Sequence, residues 1–218
     1  MANLETTTKT KPDKKIRDAN ATRLRILKAA KREFAQKGLA GARVDTIASK
    51  AQANKRMIYH YFGSKEALFL KVLEDAYFDI RSAEQKLDLE NLDPLEAIEK
   101  LVLFTWDYYL KNPEFIRLVN SENLHGARHL KKSSVIDDIS QKFVSMVGGI
   151  LARGVASGQF RAGIDPVQLN ITIAAIGYYY LTNRFTGSIV YQRNLSTPSA
   201  YKERLAFNVE TILCLVKP

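Results

Sequence analysis

The spacing of the apolar residues is what most constrains this chain. From about Asp18 almost to the C-terminus, hydrophobic side chains return every three or four positions, the repeat of one face of an α-helix. Six Pro and eleven Gly in 218 residues leave little room for a many-turned β architecture. No segment alternates with a period of two, and no internal repeat or low-complexity stretch competes. The expected fold class is all-α, and 46% hydrophobic residues supply an ordinary core.

Breaks in the period place the helices. Residues 1–17 are rich in Thr and Lys without an apolar period and read as a disordered basic arm. Leu24, Leu27, Ala30 and Phe34, with Ile26 beside them, mark a first helix that Gly38 ends, since glycine enters the left-handed conformation at no steric cost. A short second helix spans about Val44 to Lys50. After the turn Ala51-Gln52-Ala53, Asn54 fits as the N-cap of a third, Lys55 to Tyr61. Two short helices joined this tightly cross steeply, as in a helix-turn-helix. The reading is a three-helix N-terminal domain over 18–66 and a larger helical domain over 67–218. A long helix from Lys65 to about Leu87 links the two. Further helices start at Asp93 or Pro94, at Pro113, near Ser133 (loosened at Gly148-Gly149), at Asp165-Pro166 and at Pro198.

The charge is concentrated at one end. Residues 1–65 hold sixteen Lys/Arg against five Asp/Glu, whereas the remaining 153 hold seventeen against eighteen. The whole excess behind the net +10 therefore lies in the first third, which points to a polyanionic partner there. Charge alone does not separate duplex DNA from RNA or an anionic membrane. The third helix makes duplex DNA the expected partner. Met57, Ile58 and Phe62 are placed to pack inward, which leaves Lys55, Arg56, Tyr59 and Tyr61 outward. Arg and Lys near the start of such a helix reach guanine edges, and Tyr reaches phosphate or a thymine methyl. Lys65, behind Ser64 as cap, is placed for a phosphate at a helix N-terminus.

Other chemistries find no support. Three His and one Cys compose no triad, and no zinc-helix, cysteine-pair or phosphate-loop motif occurs. No enzyme, cofactor or metal is expected; His125 and His129 are four apart, but Gly126 between them argues for a loop. Cys214, among Ile212, Leu213, Leu215 and Val216, reads as a buried, inert thiol. Arg128, His129, Lys131 and Lys132 read as a solvated basic loop. The polar N-terminus carries no secretory leader pattern, and Ile171 to Leu181 is too short to span a bilayer. The expected location is the cytoplasm, without membrane attachment.

The run from Ile26 to Leu70, ILKAAKREFAQKGLAGARVDTIASKAQANKRMIYHYFGSKEALFL, resembles the DNA-binding domain of the TetR-type regulators. The matching pieces are A-x-x-x-F in the first helix, the Gly38 and Gly41 turn, V-x-x-I-A, and above all I-Y-H-Y-F-x-S-K-E-A-L. The resemblance implies that Tyr59, Tyr61 and Lys65 touch DNA backbone or base edges. It places Lys55 and Arg56 at variable specificity positions, and Arg43 and Thr46 at phosphate-binding ones. Asn54 joins this set as the cap that starts the reading helix, and His60 reads either as a packing residue or as a base contact. Two positions depart from the pattern. Arg43 stands where a Ser or Thr usually caps the second helix, and Gln52 stands where the turn usually has Gly.

The resemblance further implies a ligand-responsive repressor that binds a palindromic operator as a homodimer. The apolar runs ITIAAIGYYYL and YKERLAFNVETILCLV are the expected subunit interface. A small-molecule effector is expected among Trp106, Tyr109, Phe115, Asn120, Asn123, His125, Tyr179 and Asn183, because a pocket needs an apolar wall with a few placed polar groups. The alternative is an effector-independent regulator whose C-terminal domain only dimerises or binds a protein.

Overall fold

The computed structural model describes residues 14–218, with side chains from Asp18 onward. Residues 1–13 of the expected arm lie outside the described residues, and from Lys14 the backbone is already helical. Among the described residues the regular elements are helices only. They are α1 (Lys14–Gly41), α2 (Val44–Lys50), α3 (Lys55–Phe62), α4 (Lys65–Gln85), α5 (Pro94–Lys111), α6 (Pro113–Leu124), α7 (Val135–Ala156), α8 (Pro166–Val190) and α9 (Pro198–Val216). Short 3₁₀ turns stand at Leu89–Asn91 and Leu130–Lys132. No helix there is long and apolar enough to cross a membrane. The chain forms two compact units, one ending at Lys71 and the other running Val72–Pro218, so the boundary falls inside α4.

The first unit is built on α1. Ile26, Ala30 and Phe34, each four residues after the last, are fully buried with Ile47 from α2, Ile58 from α3 and Leu68 and Phe69 from α4. The rings of Phe34 and Phe69 meet edge to face at 5.1 Å, a favoured aromatic geometry. Leu24, expected inward, is 66% exposed. It stands two residues from Ile26, about 200° around the helix, and Ile26 takes the inward face. Gly38 does turn left-handed (φ 66°), and one further turn closes at Gly41.

The second unit packs α5 against α7, α8 and α9. Its core includes Ile98, Leu101, Val147, Ile150, Ile173, Ile212 and Val216. Sequence punctuation sets the helix starts. Asp93 accepts from Leu95 N at 3.0 Å, Asp165 from Gln168 N at 2.8 Å and Thr197 from Ala200 N at 3.1 Å. Each cap is followed by Pro at the first helical position, where no backbone donor is lost.

The helix expected to loosen at Gly148-Gly149 runs on without a break as α7. Its exacting glycine lies further on. A Cβ at Gly154 would stand 2.0 Å from Cδ2 of Phe160, whose side chain is buried. Gly154→Ala is therefore expected to cost about 1–3 kcal/mol by overpacking. The readout is a lower urea midpoint at unchanged slope; an unshifted midpoint would mean that the ring yields freely.

Candidate nucleic-acid interface

The turn between α2 and α3 is held from both sides. Gln52 adopts φ 51°, the left-handed region that costs a non-glycine residue about 1–3 kcal/mol unless its surroundings over-determine it. Those surroundings are present. Ala51 N and Ala53 N bond back to the carbonyls of Ile47 and Ala48 at 2.9 and 3.0 Å. Arg25, from α1, donates its Nε–H to the Ala51 carbonyl at 3.1 Å. Asn54 caps α3 as expected, its Oδ1 accepting from Met57 N at 2.9 Å. Arg43, at the cap position of α2, makes no side-chain capping bond, and Asp45 supplies an acid in the first turn instead.

Ile58 anchors α3 with no exposed surface. Lys55, Arg56, Tyr59 and His60 are exposed, and their spacing of one, four and five places them on one face. Tyr61 and Phe62 are half-buried. Of the two roles open to His60, its exposure favours the outward one; it meets Tyr61 edge-on at 5.4 Å. The inward position went to Ile58, two residues earlier on the opposite side of the helix. Lys55 bridges to Asp45 at 3.0 Å, both side chains exposed. The hydrogen bond that Lys55 donates to Asp45 raises the Lys55 pKa above its ordinary value, with the carboxylate's charge adding to it.

That bridge ties the first turn of α2 to the first residue of α3. Lys65, the first residue of α4, reaches back to the Ala40 carbonyl at 3.4 Å, just ahead of α2. Ser64 caps α4 by accepting from Ala67 N at 3.0 Å. Arg43 (exposed) and Thr46 (half-buried) thus share a neighbourhood with Lys55 and Lys65. Sequence reasoning missed Arg25 as the clamp on the turn, because its partner is a backbone carbonyl 26 positions away. It also missed Glu33, 5% exposed at the side chain, which pairs with Lys50 at 2.8 Å.

In the second unit, Trp106, Tyr109 and Phe115 are buried. Tyr109 stacks on Phe115 at 6.0 Å, and Trp106 faces Tyr180 at 5.7 Å. Asn120 is half-buried and accepts from the Tyr178 hydroxyl. Asn123 and Tyr179 are exposed, and His125 is half-buried. Asn183 donates to the Tyr179 carbonyl at 2.9 Å. The eight residues therefore do not form one cluster. Trp106, Tyr109 and Phe115 belong to the aromatic core, Asn120 borders it through Tyr178, and Asn123 and Tyr179 face outward.

Two further expectations are corrected. His129 is buried, not solvated. The carboxylate of Glu122 accepts from His129 N and Leu130 N at 2.8 and 3.0 Å and sits 2.7 Å from His129 Nδ1. Those hydrogen bonds, with the His129 charge, outweigh burial and lower the Glu122 pKa. Cys214 is exposed, because Ile212 and Val216, four apart, take the inward face of α9. Among the described residues no cluster of three or more His, Cys, Asp or Glu is arranged to hold a metal.

The geometry has close parallels. Residues 26–72 match the model of bacterial regulatory proteins of the tetR family. Residues 94–212 match the tetracycline-repressor-like C-terminal domain. The chain belongs to the TetR family. It is accordingly a DNA-binding transcriptional regulator. Among relatives, it is 40% identical to the HTH-type transcriptional repressor NicS of Pseudomonas putida over 88% of this chain and 91% of that one. It is 32% identical to the HTH-type transcriptional regulator RutR of Escherichia coli over 77% of each. A solved structure, that of the putative transcriptional regulator SCO4942 from Streptomyces coelicolor, superposes with a TM-score of 0.68 at 26% identity. That match covers 90% of this regulator and 99% of the other chain.

Proposed function

We propose that this regulator is a cytoplasmic, non-enzymatic repressor that binds a palindromic operator as a homodimer and leaves it when a small molecule occupies the Val72–Pro218 unit. The relatives named as repressors support the sign of regulation. The observation that carries the dimer is an exposed seam on α8. Ile171, Ala175, Thr182, Phe185 and Ile189 are all exposed and, with the half-buried Tyr178, fall at spacings of 4, 3, 4, 3 and 4. That is the heptad pattern with which one helix meets another. Phe207 of α9 adds a further exposed ring, over which Arg204 lies at 5.3 Å. Exposed apolar surface on this scale marks an interaction face. Two reading helices about 34–36 Å apart then address successive major grooves.

In this proposal Lys55, Arg56 and Tyr59 read bases or backbone from α3. Arg43, Thr46, Tyr61 and Lys65 hold phosphates, and Asn54 fixes the start of the helix. Lys55 exchanges Asp45 for DNA on binding. With an operator selected from random duplexes, Arg56→Ala is expected to change base preference at one position of each half-site by about 1–3 kcal/mol. Lys65→Ala is expected to weaken all sequences alike and to lower the salt slope by roughly one. Unchanged operator affinity in both variants would refute this contact map.

The effector half rests on the aromatic and amide residues of the second unit. A ligand releases DNA only through unequal affinity for the two states, and a hundredfold release needs about 2.7 kcal/mol of coupling. A metabolite screen for operator release tests it; a protein that no compound displaces is a constitutive regulator.

A further inference from the structure

Arg81 has no part in the proposed DNA contacts, yet it is an unusual group to keep inside a helical unit. Its side chain is 17% exposed and pairs with Glu84, 4% exposed, at 2.5 Å. The guanidinium lies 4.0 Å from the centre of the Phe143 ring, and its Nε is buried without a hydrogen-bond partner. Buried donors are rarely left unsatisfied in a protein that has finished binding what it binds. The neighbourhood repeats the pattern. Tyr77, one turn earlier on α4, and Tyr109 both feel the Arg81 charge, which opposes the rise that burial imposes on their phenols. Tyr108 and Tyr178 donate to Asp79 and Asn120.

Solvent reaches Arg81. A cleft of about 600 Å³ between α4 and α7 is lined by Arg81, Glu84, Lys142, Phe143 and Met146 among others. We infer that Arg81 is the receptor for the carboxylate of a small organic acid that enters through this cleft and lays its carbon body against Phe143 and Met146. The inference rests on the proposed ligand response and names the chemistry of the ligand. Arg is suited to the task because its planar fork donates two parallel bonds to a carboxylate. The incoming group takes over from Glu84, whose carboxyl burial has pushed up to about 7 against the opposing pull of Arg81. At neutral pH Glu84 therefore takes up a proton readily and surrenders its partner. Glu90 and Asp138 stand at the same cleft and repel multiply charged anions, so a monocarboxylate fits and a phosphate ester does not.

The test uses the purified full chain, with benzoate and hexanoate as probes and benzamide and phenyl phosphate as controls, by calorimetry and melting temperature. Both or either carboxylate is expected to bind, at least tenfold tighter than benzamide or phenyl phosphate. Arg81→Met, which keeps an unbranched side chain against Phe143, is expected to abolish the binding. Arg81→Lys keeps the charge but not the fork and is expected to weaken it at least tenfold. Affinity is expected to be flat below pH 7 and to fall up to tenfold per unit above it. Glu84→Gln removes that slope. The groups facing Glu84 are Arg81 on α4, Tyr108 and Tyr109 on α5, Glu90 on the first 3₁₀ turn, and Asp138 and Lys142 on α7. Burial raises the phenols of Tyr108 and Tyr109 further above their ordinary value.

No carboxylate binding at 10 mM, equal binding of benzamide, or unaltered binding by a folded Arg81→Met protein would overturn the inference. Its failure is distinct from that of the ligand-response reading. A compound that still releases operator from Arg81→Met leaves that reading intact, whereas carboxylate binding that never releases operator removes that reading and leaves the site.

Discussion

A Phe185→Glu, Ile189→Glu double variant is expected to sediment as a monomer of 24.6 kDa and to bind its operator about a thousandfold more weakly. Phe185 and Ile189 are 66% and 79% exposed, so folding of the protomer gains little from them. Carboxylates there cost the isolated chain almost nothing. In a two-fold seam the same substitutions set four carboxylates against apolar partners. Burying such charges unpaired costs several kcal/mol each, more than an interface of ordinary size recovers. A monomer keeps one reading helix, and its affinity drops from the specific range toward the non-specific one, a loss of at least three decades at physiological salt. Unchanged helicity by circular dichroism separates this result from misfolding. A variant that remains dimeric and binds normally would place the subunit interface elsewhere.

The sequence was most legible where a local rule acts within a few residues. Asp93-Pro94, Asp165-Pro166 and Pro198 announced the starts of α5, α8 and α9, and Asn54 announced α3, because a cap is a bond between near neighbours. The outward set on α3 was legible because Ile58 leaves the opposite face to Lys55, Arg56 and Tyr59. Adjacent apolar residues were harder. Periodicity says that one face goes in, but it ranks Leu24 with Ile26 and Cys214 with Ile212, and only packing chooses between them. Contacts distant in sequence were hardest. Glu122 capturing the backbone of His129 and Leu130, and Arg25 capturing Ala51, depend on chain paths that no spacing encodes. Gln52 shows the converse. The turn keeps its left-handed residue without glycine because three hydrogen bonds around it enforce the geometry.

Phe34→Ala is expected to remove DNA binding while the Val72–Pro218 unit stays folded. Phe34 has no exposed surface, and its ring edge meets Phe69 at 5.1 Å. Truncation to alanine removes that contact and leaves a cavity, with a usual cost of about 3–5 kcal/mol. The first unit ends at Lys71, and a domain of this size holds a small core and only a few kcal/mol of net stability. The loss is therefore comparable to everything that holds α1, α2 and α3 together. The second unit has its own core around Ile98, Leu101, Val147 and Ile212, which contains no atom of Phe34. Limited proteolysis is expected to clip the variant before Lys71 and to spare a helical fragment that begins near Val72. Operator binding should vanish in the same preparation. Phe34→Leu, which keeps most of the volume, is expected to cost less than half as much and to retain binding. If Phe34→Ala bound operator with native affinity, the ring would not be the keystone of the reading head. If both units melted together in the variant, their cores would not be energetically independent.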